Sequence, residues 1–123
     1  MTQRMQALRG ATTAAANSRT EIVTATGELL REMLARNSVA PRDVVSIVFT
    51  STADLTAEFP AAAARDLGFA DVPLLCAAEI AVPGALERCV RILMHLYTDR
   101  ARGELEPVYL HAARSLRTDL DQG

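Results

Sequence analysis

Lysine is missing from this chain: all 13 of its basic residues are arginine. That removes Schiff-base chemistry, lysine-held pyridoxal phosphate and the phosphate-loop lysine in one step. Every cation is instead a planar fork suited to gripping carboxylates or phosphates, although a GC-rich genome produces the same bias through codon choice. Aromatic residues are scarce, with only Phe49, Phe59, Phe69, Tyr97 and Tyr109. There is no basic run and no aromatic series on which bases could stack, so nucleic acid is not expected as a partner. No apolar run approaches a membrane span, and the opening stretch from Met1 to Thr20 holds no apolar signal core. The expectation is a cytoplasmic protein with no membrane partner.

The residues of metal and covalent chemistry are equally thin. His95 and His111 stand alone on separate segments, and no Cys or His lies at a ligand spacing, so neither metal nor cofactor is expected. Cys76 and Cys89 sit in apolar stretches, which suits reduced, buried thiols better than a disulfide. Neither histidine is placed beside Cys76, so a cysteine nucleophile lacks its base. Arg9-Gly10 and Pro83-Gly84 are single glycines, not a phosphate-cradling loop.

What is present is an ordinary soluble composition, half hydrophobic, with a formal charge of -2. The 123 residues fit one domain spanning 1–123, with room for a core but little for a deep private cleft. A pocket shared between subunits follows naturally from that size. Met5 to Thr13 reads as a short first strand and Ala14 to Asn17 as a connector. Ser18-Arg19-Thr20-Glu21 forms a capping box, behind which Ile22, Thr26, Leu29, Leu30, Met33 and Leu34 recur at helical spacing up to Arg36. Asp43 to Ser51 is a β-branched apolar run that reads as a buried strand. From Glu58 the composition turns helical, with Pro60 suited to a first helical position and Gly68 to a C-terminal cap.

Val72 to Ile80 reads as a strand with Leu75, Ala77 and Glu79 on one face and Leu74, Cys76, Ala78 and Ile80 on the other. Leu86 to Tyr97 is ambiguous: strand alternation groups Cys89, Arg91, Leu93 and His95, whereas helical spacing groups Leu86, Val90, Leu93 and Tyr97. Thr98 to Pro107 is a charged loop. Val108-Tyr109-Leu110 opens a last strand continuing toward Leu116 and Arg117, and the tail 118–123 is expected to be flexible. The order favours an α/β or α+β layer, a mixed sheet with helices packed on one face.

Charges embedded among hydrophobes need a reason, because an ionised group leaves water only at a cost of several kcal/mol unless it is paired. Glu79 lies in an apolar run, and Arg91 is set among Cys89, Val90, Ile92 and Leu93. With Arg9, Arg65 and Arg117 close to strand ends, they suggest an anion-holding pocket more than an acid-base machine. Each arginine taken singly is an ordinary solvated charge.

An ordered set of segments carries a resemblance. Arg9-Gly-Ala-Thr-Thr13, Thr52-Ala-Asp-Leu-Thr-Ala-Glu-Phe-Pro60 leading to Arg65, Val72-Pro73 with Cys76 and Glu79, Arg88-Cys-Val-Arg91, and Val108-Tyr109-Leu110 followed by Leu116-Arg117 resemble the monofunctional, Bacillus-like AroH-type chorismate mutases. The likeness runs in order over nearly the whole chain. It implies a homotrimer with a barrel-like core of sheets, active sites at subunit interfaces, and the cofactor-free Claisen rearrangement of chorismate to prephenate on the way to phenylalanine and tyrosine.

Position by position, the resemblance makes Arg91 the donor to the substrate's ether oxygen. Arg9 and Tyr109 bind substrate carboxylate, Glu79 accepts from the ring hydroxyl, and the Cys76 thiol lies beside that region. Phe59, Ala61 and Leu116 match wall positions, and Arg65 and Arg117 match cations at the pocket's edge. Leu75 matches a substrate-contacting position that can carry threonine, and Ala62 one that can carry lysine; here neither supplies a side-chain contact. The alternative from the residues alone is a non-catalytic trimeric module binding a small carboxylate metabolite, with a purely structural interaction domain a weaker third.

Overall fold

The fold is set by one helix laid across one face of a five-stranded sheet. The structure is a computed structural model that describes residues 3–118. Strand β1 (Arg4–Thr13) leads into helix α1 (Arg19–Arg36), then β2 (Val44–Ser51), the short helix α2 (Ala61–Asp66), β3 (Leu74–Ala78), β4 (Cys89–Thr98) and β5 (Val108–Tyr109). The strand order is β3-β2-β4-β1-β5. β4 runs antiparallel to both neighbours, β1 and β2, while the outer pairs β2·β3 and β1·β5 are parallel. The sheet is therefore mixed, as the sequence leads one to expect.

Helix α1 begins where the Ser18 hydroxyl accepts from the Glu21 amide at 3.2 Å, satisfying one of the orphan donors of the first turn. It buries Leu29, Leu30 and Met33 against Leu8, Ile92, Met94 and Leu96 of the sheet, while Ile22 packs in a smaller cluster with Ala14, Leu55 and Val90. Close approach requires Gly10, where a Cβ would stand 2.7 Å from Met33 Sδ and 3.2 Å from the Val108 carbonyl. At the helix's far end the buried Asn37 side chain donates to the Met33 and Glu106 carbonyls, both at 3.0 Å, and accepts from the Glu106 amide at 2.7 Å. That clamp fixes the segment leading into β5 and so places Tyr109.

The ambiguous Leu86–Tyr97 segment resolves as a strand. Val90, Ile92, Met94 and Leu96 alternate inward, and β4 occupies the sheet's centre with a partner on each side. Periodicity within the segment could not decide this, because the deciding bonds come from β1 and β2. The last strand is shorter than expected: β5 stops after Tyr109, and His111–Leu116 form a 3-10 turn in place of a strand running to Arg117. His111 takes a left-handed backbone (φ 53°), which ends the extended run. β3 is trimmed to Leu74–Ala78, so Val72, Glu79 and Ile80 flank it. Of the tail expected to be flexible, 119–123 lie outside the described residues.

The two α-helices leave the opposite sheet face open except at its β1–β5 end, where Ala113 of the 3-10 turn packs on Ala11, Cys89 and Tyr109. Met5, Leu75 and Tyr97 on that face are roughly half exposed or more.

Candidate active site

Strand pairing brings the sequence's scattered charges into rows. Thr50 pairs with Ala77 on one side and Arg91 on the other, Arg91 pairs with Ala11, and Ala11 pairs with Tyr109. Ala77, Thr50, Arg91, Ala11 and Tyr109 thus form one row across all five strands, on the open face. The next row holds Leu75, Val48, Leu93 and Arg9. Because residues two apart share a face, Arg9 and Arg91 point the same way, about 7–8 Å apart on the diagonal between neighbouring strands.

Glu79 joins them from just beyond β3. Its amide donates to the Ser51 carbonyl at 3.0 Å, which brings the chain end back over the sheet. Its Oε2 lies 3.2 Å from Arg91 Nε and also accepts a hydrogen bond from the Thr50 hydroxyl. Arg9, Val48, Thr50, Glu79, Arg91, Leu93 and Tyr109 line a depression of about 260 Å³. The Arg117 guanidinium stacks over the Tyr109 ring, 5.8 Å from its centroid, and Leu116 packs beside the cluster of Ala11, Cys89, Tyr109 and Ala113.

The aim of Arg91 depends on how β4 starts. Arg88 adopts a left-handed backbone (φ 48°), a strained state for a residue with a Cβ. Its amide donates to Asp54 Oδ2 at 2.9 Å, its carbonyl accepts from the Ala14 amide at 2.8 Å, and the Cys89 amide donates to Thr52 Oγ1 at 3.0 Å. The Thr52 hydroxyl in turn donates to Asp54, holding its carboxyl below the usual range with help from the Arg88 amide. Register is thereby pinned, and a slip of one residue would turn Arg91 to the helix side. Burial pushes the neighbouring Cys89 thiol up, only partly offset by Arg91, so it stays a neutral thiol.

The remaining expected residues lie elsewhere. Cys76 pairs with the fully buried Phe49 and packs on the helix-side core, so its thiol lies on the other face of the sheet from Arg91. It lines a second depression, about 480 Å³, with Phe59, Pro60, Thr56 and Ala78. Phe59 is 66% exposed there, on a loop held by Asn17, whose Oδ1 accepts from the amides of Thr56 and Ala57 at 2.9 and 3.0 Å. Glu58 accepts from the Phe59 amide and from Arg19, contacts that hold its carboxyl low. Arg65 borders a third hollow with Phe69, Ala70, Val72 and Leu74. Ala61 and Ala62 are buried in the helix core, and Leu75 is 63% exposed on the open face. Within one chain the structure therefore gathers Arg9, Glu79, Arg91, Tyr109, Leu116 and Arg117, and keeps Phe59, Cys76 and Arg65 apart from them.

Thr50, which lines the depression and donates to Glu79, is the residue that sequence reasoning missed. Its signal was its place on the polar side of β2, which becomes meaningful only once its pairing with Arg91 is known.

A sequence model described as chorismate mutase type I matches residues 5–120. The chain belongs to that family. Among the type I chorismate mutases, it is 38% identical over 117 residues to chorismate mutase AroH of Bacillus subtilis strain 168, covering 94% of this chain and 92% of that one. It is 42% identical over 118 residues to chorismate mutase AroH of Thermus thermophilus, covering 95% and 97%. A solved chorismate mutase from Clostridium thermocellum superposes with a TM-score of 0.88 at 46% identity, covering 89% of this chain and 98% of that one. As a chorismate mutase the chain is an enzyme of the isomerase class, and the non-catalytic binding module is not favoured.

Proposed function

We propose that the open-face depression is the reacting half of a chorismate mutase site, with Arg91 as its central cation, in the route to phenylalanine and tyrosine. The observation that supports this most directly is the pair of rows that set Arg9 and Arg91 on one face, with Glu79 beside Arg91. Chorismate carries two carboxylates and must be held in a compact diaxial-like conformer before its ends can bond. Two fixed cations on adjacent strands supply that orientation, converting conformational search into bound geometry. Arg9 and Tyr109 hold carboxylate, and Glu79 accepts from the ring hydroxyl.

As the C–O bond breaks, the ether oxygen gains negative charge that is absent in the ground state. A guanidinium aimed there stabilises the transition state more than the substrate, which is what raises turnover. Rate acceleration at the modest end of enzymes requires about 8 kcal/mol, of which one preorganised donor commonly supplies about 3–4 kcal/mol. Arg91 thus carries a large share, and conformational restriction much of the rest. The rearrangement is unimolecular and needs no cofactor, nucleophile or proton relay.

The second half of the site comes from another copy of the chain, in a cytoplasmic homotrimer whose sheets form a barrel-like core. The division of site residues between the two sheet faces favours this reading, since Phe59 and Cys76 cannot reach Arg91 inside one chain. So does the size of the depression: about 260 Å³ lies below the roughly 300 Å³ at which small-molecule pockets begin. Phe59, Cys76, Arg65 and the backbone at Leu75 then close the cleft, with Ala61 behind the wall and Arg117 and Leu116 at the rim.

The test follows chorismate's ultraviolet absorbance against the uncatalysed rate. Purified protein should accelerate its loss, and Arg91→Ala should lower kcat by roughly 100- to 1000-fold while still binding ligand. A wild-type protein that leaves chorismate unchanged, or an Arg91→Ala variant with full turnover, overturns the reading.

A further inference from the structure

Glu79 presents two oxygens to its surroundings, and the Thr50 hydroxyl and the nearest Arg91 nitrogen both meet the same one. Oε2 faces Arg91 Nε at 3.2 Å and accepts from the Thr50 hydroxyl, while Oε1 has no hydrogen-bond partner among the described residues. The asymmetry is unusual for an arginine and a carboxylate in reach of each other. Their preferred arrangement is the fork, in which two parallel N–H groups take both oxygens. Had Glu79 closed on Arg91 that way, a second guanidinium nitrogen would be spent on the protein, and Oε1 would no longer face the cleft.

Thr50 is placed to prevent that closure. It sits on the interior strand β2 with Arg91 directly opposite on the central strand β4, so its hydroxyl rises beside the guanidinium stem. Backbone pairing on both sides holds it, to Ala77 and to Arg91. The Glu79 backbone is tied to Ser51, the next residue of β2. β2 therefore holds Glu79 at both its backbone and its side chain, and the side chain's last torsion, which is otherwise broad, is fixed by the hydroxyl.

We propose that Thr50 is a positioning residue: by holding Glu79 Oε2 it keeps the carboxylate off the guanidinium's far end, leaving Arg91's terminal nitrogens for the ether oxygen and Oε1 for the ring hydroxyl. The inference rests on Arg91 and Glu79 being the reacting face of the chorismate site. A β-branched hydroxyl residue is suited to the task, since threonine combines a stiff χ1 with a donor, whereas valine of the same shape has no donor.

The experiment compares Thr50→Val and Thr50→Ser, each alone and with Glu79→Ala, together with a crystal structure of Thr50→Val. Loss of a hydrogen bond to a charged group should lower kcat of Thr50→Val by about 10- to 100-fold. KM should stay within about threefold, because orientation and not ground-state binding is lost. Thr50→Ser should stay within about threefold of wild type in both. Added to Glu79→Ala, Thr50→Val should change kcat by less than about twofold, as expected for residues acting as one unit. The crystal structure should show both Glu79 oxygens on Arg91. Thr50→Ser as slow as Thr50→Val, Thr50→Val as fast as wild type, an additive loss in the Glu79→Ala background, or Glu79 unmoved in the crystal would each overturn the proposal. Wild-type protein inert toward chorismate would instead sink the parent reading, while the crystal structure would still report on the Thr50–Glu79 contact.

Discussion

If the reacting face and the Phe59–Cys76 edge meet only across a subunit boundary, two inactive variants should repair each other when mixed. One variant is Arg91→Ala, which removes the central cation from the open face. The other is Phe59→Asp, on a side chain 66% exposed in the single chain, so the fold loses little. The new carboxylate would repel a substrate that already carries two. In a cyclic assembly each site takes one half from each of two neighbours. Random assortment of equal amounts then gives about one site in four with both halves intact, since each half is wild type with a chance of about one in two. Co-expression with two affinity tags isolates mixed assemblies, light scattering confirms that Phe59→Asp still assembles, and chorismate consumption reads the repair. Selection removes the unmixed trimers, which hold no intact site, and leaves one intact boundary in each mixed trimer, so about a third of wild-type activity per site is expected. If every site were built within one chain, each would keep its own lesion. Mixed assemblies no more active than the mean of their parents would refute the shared cleft, because only a site built within one chain keeps its lesion whatever its neighbour carries.

Two further tests reach the scaffold. Gly10→Ala should lower stability by about 1–3 kcal/mol, read as a reduced melting temperature, because the added methyl meets Met33 Sδ at 2.7 Å and the Val108 carbonyl at 3.2 Å. An unchanged melting temperature would mean that α1 is free to lift off the sheet. Asp54 is held low by Thr52 and the Arg88 amide, so its contribution is fully present above the ordinary carboxylate value and is lost as pH falls through the lowered one. Being exposed, it is worth no more than about 1 kcal/mol. Asp54→Asn should therefore lose stability at neutral pH and converge with wild type on acidification, as followed by thermal melts across the acidic range. A gap that widens in acid would contradict the sign.

Local pattern carried the elements that local physics decides. Ser18 capping, the helical spacing through Met33 and the β-branched run of β2 were legible because each depends on neighbours in sequence. The segment from Cys89 onward was not, since alternation and helical spacing fit it equally well and only pairing with β1 and β2 selects the strand. β5 ended early for the same reason: the left-handed turn at His111 is a tertiary choice, with its ring 2.8 Å from Glu28 on α1. The site followed suit. Arg9, Glu79, Arg91 and Tyr109 were identified by the resemblance, but that they share one face while Cys76 takes the other is a property of register. Thr50 looked like one more polar strand residue until its row was known.

Register also explains why Glu79 and Arg91, charges set among hydrophobes in the sequence, do not form a buried salt bridge. Arg91's side chain is 49% exposed and Glu79's 21%, on a face that neither α1 nor α2 covers. In that setting water screens the cation: unit charges about 4 Å apart interact by about 1 kcal/mol in bulk water but by about 4 kcal/mol at the effective dielectric of a protein surface. The same guanidinium gains leverage over a developing negative charge when a second copy of the chain displaces that water. The apolar side chains sharing its face, Val48, Leu75 and Leu93, provide a reason for such a copy to dock, because leaving them in water forfeits hydrophobic burial. In the proposed assembly, the surface that drives association is the surface that strengthens the catalytic cation, so the two would be lost together.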